Sequence, residues 1–461
     1  MKKLLSIVAL ITIALLPLTA EESGVSYSDL KLSMEGNNAE LRQAEEAIVQ
    51  SNLDVKDAKA AYQPEIELTL TGTYMANPPI GKMTLSTDEI LSQLGVASLP
   101  GIASSGYFTL YDGMENTFYN AGLSLTQPIF TWGKIPKSVK LYQNIADISV
   151  LQKQDKEDQL NVELLTRLTA LKYMDQVLAI LDETQTLADE LVKASEDGYE
   201  NGMLLKQDVA EAKLSAMEIK VNKQEIEKEY SSVLQGVRTI TAKSDLLSSD
   251  IDFTPDEEFI SSIIEMDTTA LRSAATDPSA SPLKMLKKQT AAYELKKSIA
   301  NRSMYWNPDL ALQITANYGG SRFPGEINWS AKDDWGLYVT VALKTTIWDG
   351  GKKINEQKRS QSQITDSYAD YDSAVEQLAS KAEENISSME LAVAKIEYLT
   401  LKQQSAEDRL ELVKVQNEVG TVANTDVLQQ EIEVNKLKME IIQQKITLAE
   451  AAYTLKYLAR L

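Results

Sequence analysis

The chain repeats itself, and it does so at two different offsets. Pro64 and Pro308 lie 244 residues apart, as do Tyr74 and Tyr318, and the stretches after each proline alternate apolar with polar in the same phase. Farther along the offset becomes 218. It relates Ile129 to Ile347, Gly133 to Gly351, Lys134 to Lys352, Gln143 to Gln361, Leu160 to Leu378, Leu181 to Leu399, Gly202 to Gly420 and Asp208 to Asp426, without a gap across some 80 residues. A tandem repeat constrains architecture strongly, because each copy must supply the same elements in the same order. The difference of 26 residues falls between Tyr74 and Phe118 of the first copy, in a Gly/Ser/Pro-containing stretch that reads as a long loop.

Each copy reads as helix, strand, loop, strand, long helix, turn, helix. In the first, Ile66, Leu68, Leu70 and Tyr74 alternate with Glu67, Thr69, Thr71 and Thr73, and Leu123 and Leu125 alternate with Gly122, Ser124 and Thr126. In the second, Leu310, Leu312 and Ile314 alternate with Ala311, Gln313 and Thr315, and Trp335, Leu337, Val339, Val341 and Leu343 with Tyr338, Thr340, Ala342 and Lys344. Segments of about ten residues suit a tilted transmembrane strand and equally a half-buried sheet in a soluble protein. Tyr74, Trp306, Tyr318, Trp335 and Trp348 stand near the strand ends, as interfacial aromatics do.

The helices weigh toward the membrane reading. From Lys134 to Asp197 there is no proline after Pro136 and no glycine. About 64 residues at 1.5 Å each predict a rod of roughly 96 Å, which no globular core requires. Leu164, Leu168, Leu171 and Leu178 recur at near-heptad spacing, and Val434, Leu437, Ile441, Leu448, Ala451, Leu455 and Leu458 follow steps of three and four or their sum, so coiled-coil packing is expected. Four strands cannot close a barrel, and open sheet edges are intolerable in hydrocarbon, so a spanning sheet demands several copies. A dimer would close eight strands and a trimer twelve; eight fill with side chains, so a conduit points to three or more copies.

Composition excludes much else. With no cysteine and no histidine the chain has no disulfide, no thiol nucleophile, no imidazole base and no Cys/His zinc site. A net charge of −21, from 46 Lys+Arg against 67 Asp+Glu, argues against a nucleic-acid partner. No cofactor is implied. Lys2 and Lys3 before the apolar run Leu4–Leu16, then Pro17 to Ala20, have the layout of a secretory signal peptide over 1–20. Thirteen apolar residues fall short of a membrane span, and no later stretch approaches one, so membrane residence must come from strands.

Taken together, an export signal, a duplication, two strands per copy and two long helical hairpins resemble the TolC-type outer-membrane efflux protein family. The most specific stretch is Glu418-Val419-Gly420-Thr421-Val422-Ala423-Asn424-Thr425-Asp426-Val427-Leu428, echoed by Gly202 to Val209; the runs Gln127 to Phe130 and Ile347 to Gly351 resemble the family's strand-to-helix junctions. The resemblance implies an α+β, mostly α protomer, with residues 21–242 and 282–461 as structural repeats and 243–281 as a linker in the equatorial region. It implies a homotrimer with a 12-stranded transmembrane β-barrel in outer-membrane lipid, continued by a periplasmic α-helical barrel. Its partners would be a periplasmic adaptor and an inner-membrane transporter, of a tripartite efflux or type I secretion system. The same resemblance assigns Gly202, Val419, Gly420 and Thr421 to adaptor docking and Asp208 and Asp426 to a pore constriction. Tyr74, Tyr318 and Trp335 are the membrane-interface aromatics expected of such a barrel.

The residues leave alternatives open. The tip glycines also fit plain helix C-caps, and each aspartate fits a helix first turn. The pattern departs from the family where Gln429 stands in place of a second acid one turn after Asp426, and where Asn417 and Val422 stand in place of a Tyr and an Arg that help latch the tip closed. The acids of 243–281 (Asp245, Asp250, Asp252, Asp256, Glu257 and Glu258) lack calcium-loop spacing and read as a solvated linker with one short helix. An exported coiled-coil spacer explains the helices without a barrel, and a two-carboxylate glycosidase survives the lack of histidine.

Overall fold

The structure, a computed structural model, describes residues 24–95, 106–111, 113, 116–320 and 335–460. The expected export segment lies outside them. Strand β1 (Val25–Ser26) and helices α1 (Tyr27–Asn37) and α2 (Ala39–Ala60) lead to β2 (Glu65–Tyr74). Then come β3 (Met83–Ser86), α3 (Thr87–Gln93), β4 (Tyr107–Tyr111), β5 (Thr117–Phe130), α4 (Lys134–Glu200) and α5 (Lys206–Thr241). After a 3-10 turn at Ser248–Asp250 follow β6 (Ile251–Asp252), α6 (Glu257–Ile264), α7 (Thr268–Ala275) and α8 (Ser281–Arg302). The chain ends with β7 (Asp309–Gly320), β8 (Trp335–Lys344), α9 (Lys352–Glu418) and α10 (Asn424–Ala459).

The duplication persists in the element bounds. Helices α4 and α9 both have 67 residues, α5 and α10 both have 36, and the 218-residue offset relates both ends of each pair. The chain divides into two compact units, one made of 49–147 and 288–368, the other of the segments up to 48, 148–287 and 369 onward.

The first unit carries a four-stranded antiparallel sheet in the order β2-β5-β7-β8. Its register aligns Ile66, Leu68 and Leu70 with Leu125, Leu123 and Ala121. Those face Ile314, Ala316 and Tyr318, which in turn face Val339, Leu337 and Trp335. Because side chains alternate, one face is continuously apolar, while Glu67, Thr69, Thr71, Ser124, Gln313, Thr315 and Thr340 occupy the other. On the two outer strands the apolar residues Ile66, Leu68, Leu70, Leu337, Val339, Val341 and Leu343 are each 60–70% exposed, so among the described residues nothing covers this face. Pro128, expected at the strand-to-helix junction, sits inside β5 at a register shift before Phe130, where a residue without an N–H is tolerated.

Where the strands meet the helices of this unit, side chains tie the two copies together. The Trp132 indole donates to the Pro308 carbonyl at 2.8 Å, the Arg302 guanidinium donates to the Trp132 carbonyl, and Lys134 pairs with Asp309 at 2.5 Å. Asp349, in the Ile347–Gly351 run, accepts from the Tyr305 hydroxyl at 2.6 Å and from the Gly351 and Lys353 amides. The Tyr305 hydroxyl and then these amides hold its carboxyl below the usual range.

The second unit is helical. Leu30 and Met34 of α1, Leu160, Leu164, Leu168 and Leu171 of α4 and Leu234, Val237 and Ile240 of α5 form one core. Tyr173, Val177, Leu181 and Leu191 of α4, Ala212, Ala216 and Ile219 of α5 and Leu428, Ile432 and Ile442 of α10 form another. A third joins α6 and α7 to α9 and α10, with Phe259 stacked on Tyr453 at 5.9 Å.

Three expectations need correction. Along the apolar stripes Leu178 and Ile441 are half-buried, and Val177 and Ile442 take the core positions beside them. A straight helix drifts by about 20° per heptad, so a 3.5-residue pattern slips off the contact line over a long rod. The stretch between Tyr74 and Phe118 is not merely loop: β3 and β4 pair within it, and the hydroxyl of Ser86 caps α3 by accepting the Glu89 amide. The segment 243–281 holds two short helices rather than one, and its β6 pairs with β1 in parallel. No helix among the described residues is long and apolar enough to cross a membrane.

Leu168 is fully buried, so Leu168→Ala should destabilise the helical unit by about 2–5 kcal/mol, whereas Leu178→Ala should cost less than half of that. Denaturant titration of the solubilised protein followed by circular dichroism measures both; equal losses would contradict the packing described.

Candidate functional site

Both long hairpins close in the same way. At the end of α4 the Met203 amide donates to the Gly198 carbonyl at 2.8 Å and the Gly202 amide to Tyr199 at 2.9 Å; at the end of α9 Thr421 donates to Gln416 at 2.9 Å and Gly420 to Asn417 at 2.8 Å. These paired bonds are the Schellman arrangement, which places its C′ residue in the left-handed region. Gly202 and Gly420 fill that position with φ of 71° and 80°. Among the described residues, apart from its two chain neighbours, a Cβ at either would meet no atom within 4 Å, so the backbone at both tips is open to approach.

The two tips are buttressed differently. In the first, Leu204 folds back over Gly198, where an added Cβ would lie 2.8 Å from the leucine side chain. In the second, the Asn417 amide donates to the Val422 carbonyl at 2.9 Å and the Thr421 hydroxyl to the Gln416 carbonyl at 2.9 Å. Asn417 and Val422 therefore close their own turn. Val419 is 74% exposed, and the first tip presents Met203 and Leu205, which are similarly exposed.

Asp208 and Asp426 each occupy the third position of the helix that follows the tip. The Asp208 carboxylate accepts the Leu205 amide at 2.7 Å and so completes the start of α5. That is the first-turn role left open for it by the sequence. No such bond is seen for Asp426, whose helix begins after Ala423 without a side-chain cap.

The structure brings the two aspartates together along the walls of one cavity of about 450 Å³ between α4, α5 and α10. Glu211 and Ser215 of α5 and Gln429, Glu433 and Lys436 of α10 also line it. Glu211, Glu433 and Lys436 escape a search for a matched pair of aspartates. Their signal is the helical spacing 208–211 and 426–429–433–436, which puts each set on one face. Among the described residues no group of three or more carboxylates is placed to hold a metal ion.

Tyr74, Tyr318 and Trp335 lie at one end of the sheet, since Tyr318 pairs with Trp335 and Tyr74 pairs with Thr117 at the start of β5. Tyr119 joins them, its ring 6.1 Å from that of Tyr318. Exposed Phe130, Trp306 and Trp348 mark the opposite end, where the helices attach. An uncovered apolar sheet face between two aromatic rims is the surface a lipid-facing strand presents.

A family model of outer membrane efflux proteins matches residues 33–242 and 289–459. The chain belongs to that family. Solved outer-membrane proteins share the fold. VceC of Vibrio cholerae has a TM-score of 0.71 at 13% identity, covering 94% of this chain and 95% of its own. The outer membrane channel CmeC of Campylobacter jejuni scores 0.68 at 12% identity, covering 93% and 84%. The open state of the MtrE outer membrane channel of Neisseria gonorrhoeae scores 0.64 at 13% identity, covering 95% and 89%. No curated protein matches the sequence. As an outer membrane efflux protein the chain is a duct component of the outer membrane extending into the periplasm, and it is not an enzyme. Membership removes the glycosidase and the exported spacer.

One asymmetry at the site is testable. Asp208→Ala leaves the Leu205 amide without its acceptor and should fray the first turn of α5 by about 0.5–2 kcal/mol, whereas Asp426→Ala should leave α10 unchanged. Amide hydrogen exchange over 204–209 and 422–427 reads the difference; equal protection in both variants would exclude the capping role.

Proposed function

We propose that this efflux protein works as a homotrimer. Three four-stranded sheets close a twelve-stranded barrel through outer-membrane lipid, and the helices continue it as a periplasmic α-helical barrel. The supporting observation is the sheet itself: among the described residues strands β2 and β8 each have one partner, and the apolar face is uncovered. In hydrocarbon every backbone N–H and C=O must be paired, so β2 of one copy takes β8 of the next. The polar face then lines the passage. Exposed apolar stripes on α5 (Leu214, Met217 and Val221) and on α9 (Leu391, Tyr398, Leu401, Leu412 and Val415) supply seams along which helices of neighbouring copies pack.

In this reading the protein passively conducts solutes delivered by an inner-membrane transporter of a tripartite efflux or type I secretion system. The open tips at Gly202 and at Val419, Gly420 and Thr421 receive a periplasmic adaptor, and Asp208 and Asp426 narrow the periplasmic mouth and favour cations there. Tyr74, Tyr318 and Trp335 sit at a membrane interface.

Purified protein in planar bilayers should show discrete channels. Asp208→Asn combined with Asp426→Asn should lower their cation preference. A preparation that migrates as a monomer whether heated or not, and that never conducts, would refute the duct. Gly420→Trp should reduce adaptor cross-linking in cells severalfold and leave trimer and insertion intact; undiminished cross-linking would remove the docking assignment.

A further inference from the structure

The cavity at the start of α5 and α10 carries more than its two aspartates. Four carboxylates line it, Asp208 and Glu211 from α5 and Asp426 and Glu433 from α10, together with a single cation, Lys436. The repeat makes this lysine conspicuous, because the 218-residue offset that matches Asp426 to Asp208 places Glu218 opposite Lys436. Three other lysines of this helical bundle pair with carboxylates on neighbouring helices: Lys213 with Glu196 at 2.7 Å, Lys414 with Glu431 at 2.6 Å, and Lys223 with Asp182. For Lys436 no carboxylate lies within 4.0 Å among the described residues, although it is half-buried. Its ammonium therefore acts on the cavity as a whole rather than on one partner.

We propose that Lys436 sets the ion selectivity of the periplasmic mouth by offsetting part of the charge of its four carboxylates. This rests on the duct reading above, in which the cavity faces the conduction path. An acidic constriction concentrates cations and repels anions in proportion to its net charge. With the ammonium present each chain contributes three net negative charges at the mouth; as a glutamine it would contribute four, and as a glutamate five. Three copies triple each difference. The lysine keeps the mouth permissive to anionic solutes that its carboxylates alone would turn away, and the neutral Gln429 beside it adds nothing to the repulsion.

The test is the reversal potential of the full-length protein in planar bilayers under a potassium chloride gradient, comparing wild type with Lys436→Gln, Lys436→Glu and Lys436→Arg. Each charge removed, at about 7 Å through aqueous surroundings, favours a cation and disfavours an anion by about threefold apiece, so the cation-to-anion permeability ratio should rise at least about sevenfold in Lys436→Gln. Lys436→Glu should raise it further, and Lys436→Arg should leave it at the wild-type value. In the wild type and in Lys436→Gln alike, 1 M salt should compress the ratio, since the screening length falls to about 3 Å. Permeability ratios that are identical in all four proteins overturn the proposal while leaving the duct intact. A wild type that never conducts removes the duct and the proposal together. Should Lys436→Glu fail to insert, the glutamine and arginine variants decide, because a merely structural lysine would alter insertion or stability and not the ratio among channels that open.

Discussion

The unpaired edges of the four-stranded sheet govern everything else in this molecule. Backbone amides and carbonyls along β2 and β8 have partners on one side only, and water can satisfy the other side only where water reaches. The uncovered apolar face says that water does not belong there. One chain thus carries a sheet suited to lipid and edges unsuited to it, the conflict that the proposed trimer resolves. Strands too few to close alone and a face too apolar for solvent both answer to one requirement, the pairing of backbone in hydrocarbon.

Duplication gives each copy equal helices and leaves room for divergence where packing is loose. The helices keep their 67- and 36-residue lengths in both copies, since an insertion in a packed rod would shift every contact beyond it. Divergence gathers in the connection between β2 and β5, where extra residues fold into their own hairpin and helix, and at the tips. There the two copies reach the same turn by different means, Leu204 over Gly198 in one and the Asn417 amide on the Val422 carbonyl in the other. Charge diverges as well. Lys436 stands where the first copy has Glu218, so the corresponding helices differ in charge at this position.

Strands, long helices and tips were legible in the sequence, because each rests on a local rule. Alternation over Ile66–Tyr74 and Trp335–Leu343 follows from the two-residue period of a strand, and the absence of glycine and proline after Pro136 follows from helix geometry. Gly202 and Gly420 were legible because a left-handed C′ position favours glycine. Less accessible were Val177 and Ile442 in place of Leu178 and Ile441, since which residue faces the core depends on where the neighbouring helix crosses. Of the two roles of Asp208, the bond to the Leu205 amide is local and was open to sequence reading, whereas its place in a cavity with Glu433 and Lys436 joins residues more than 200 positions apart.

The sequence by itself determined the repeat, the element types, the alternation that makes one sheet face apolar, and the family. Those properties depend on neighbours within a few residues or on comparison at a fixed offset. Only the tertiary structure decided that β5 pairs with β7 and so joins the two copies in one sheet, that α10 packs against α4, and that four carboxylates and one lysine share a cavity. Pairing and packing are choices among distant partners of nearly equal local fitness. They are settled by the burial and hydrogen bonding of the whole chain at once.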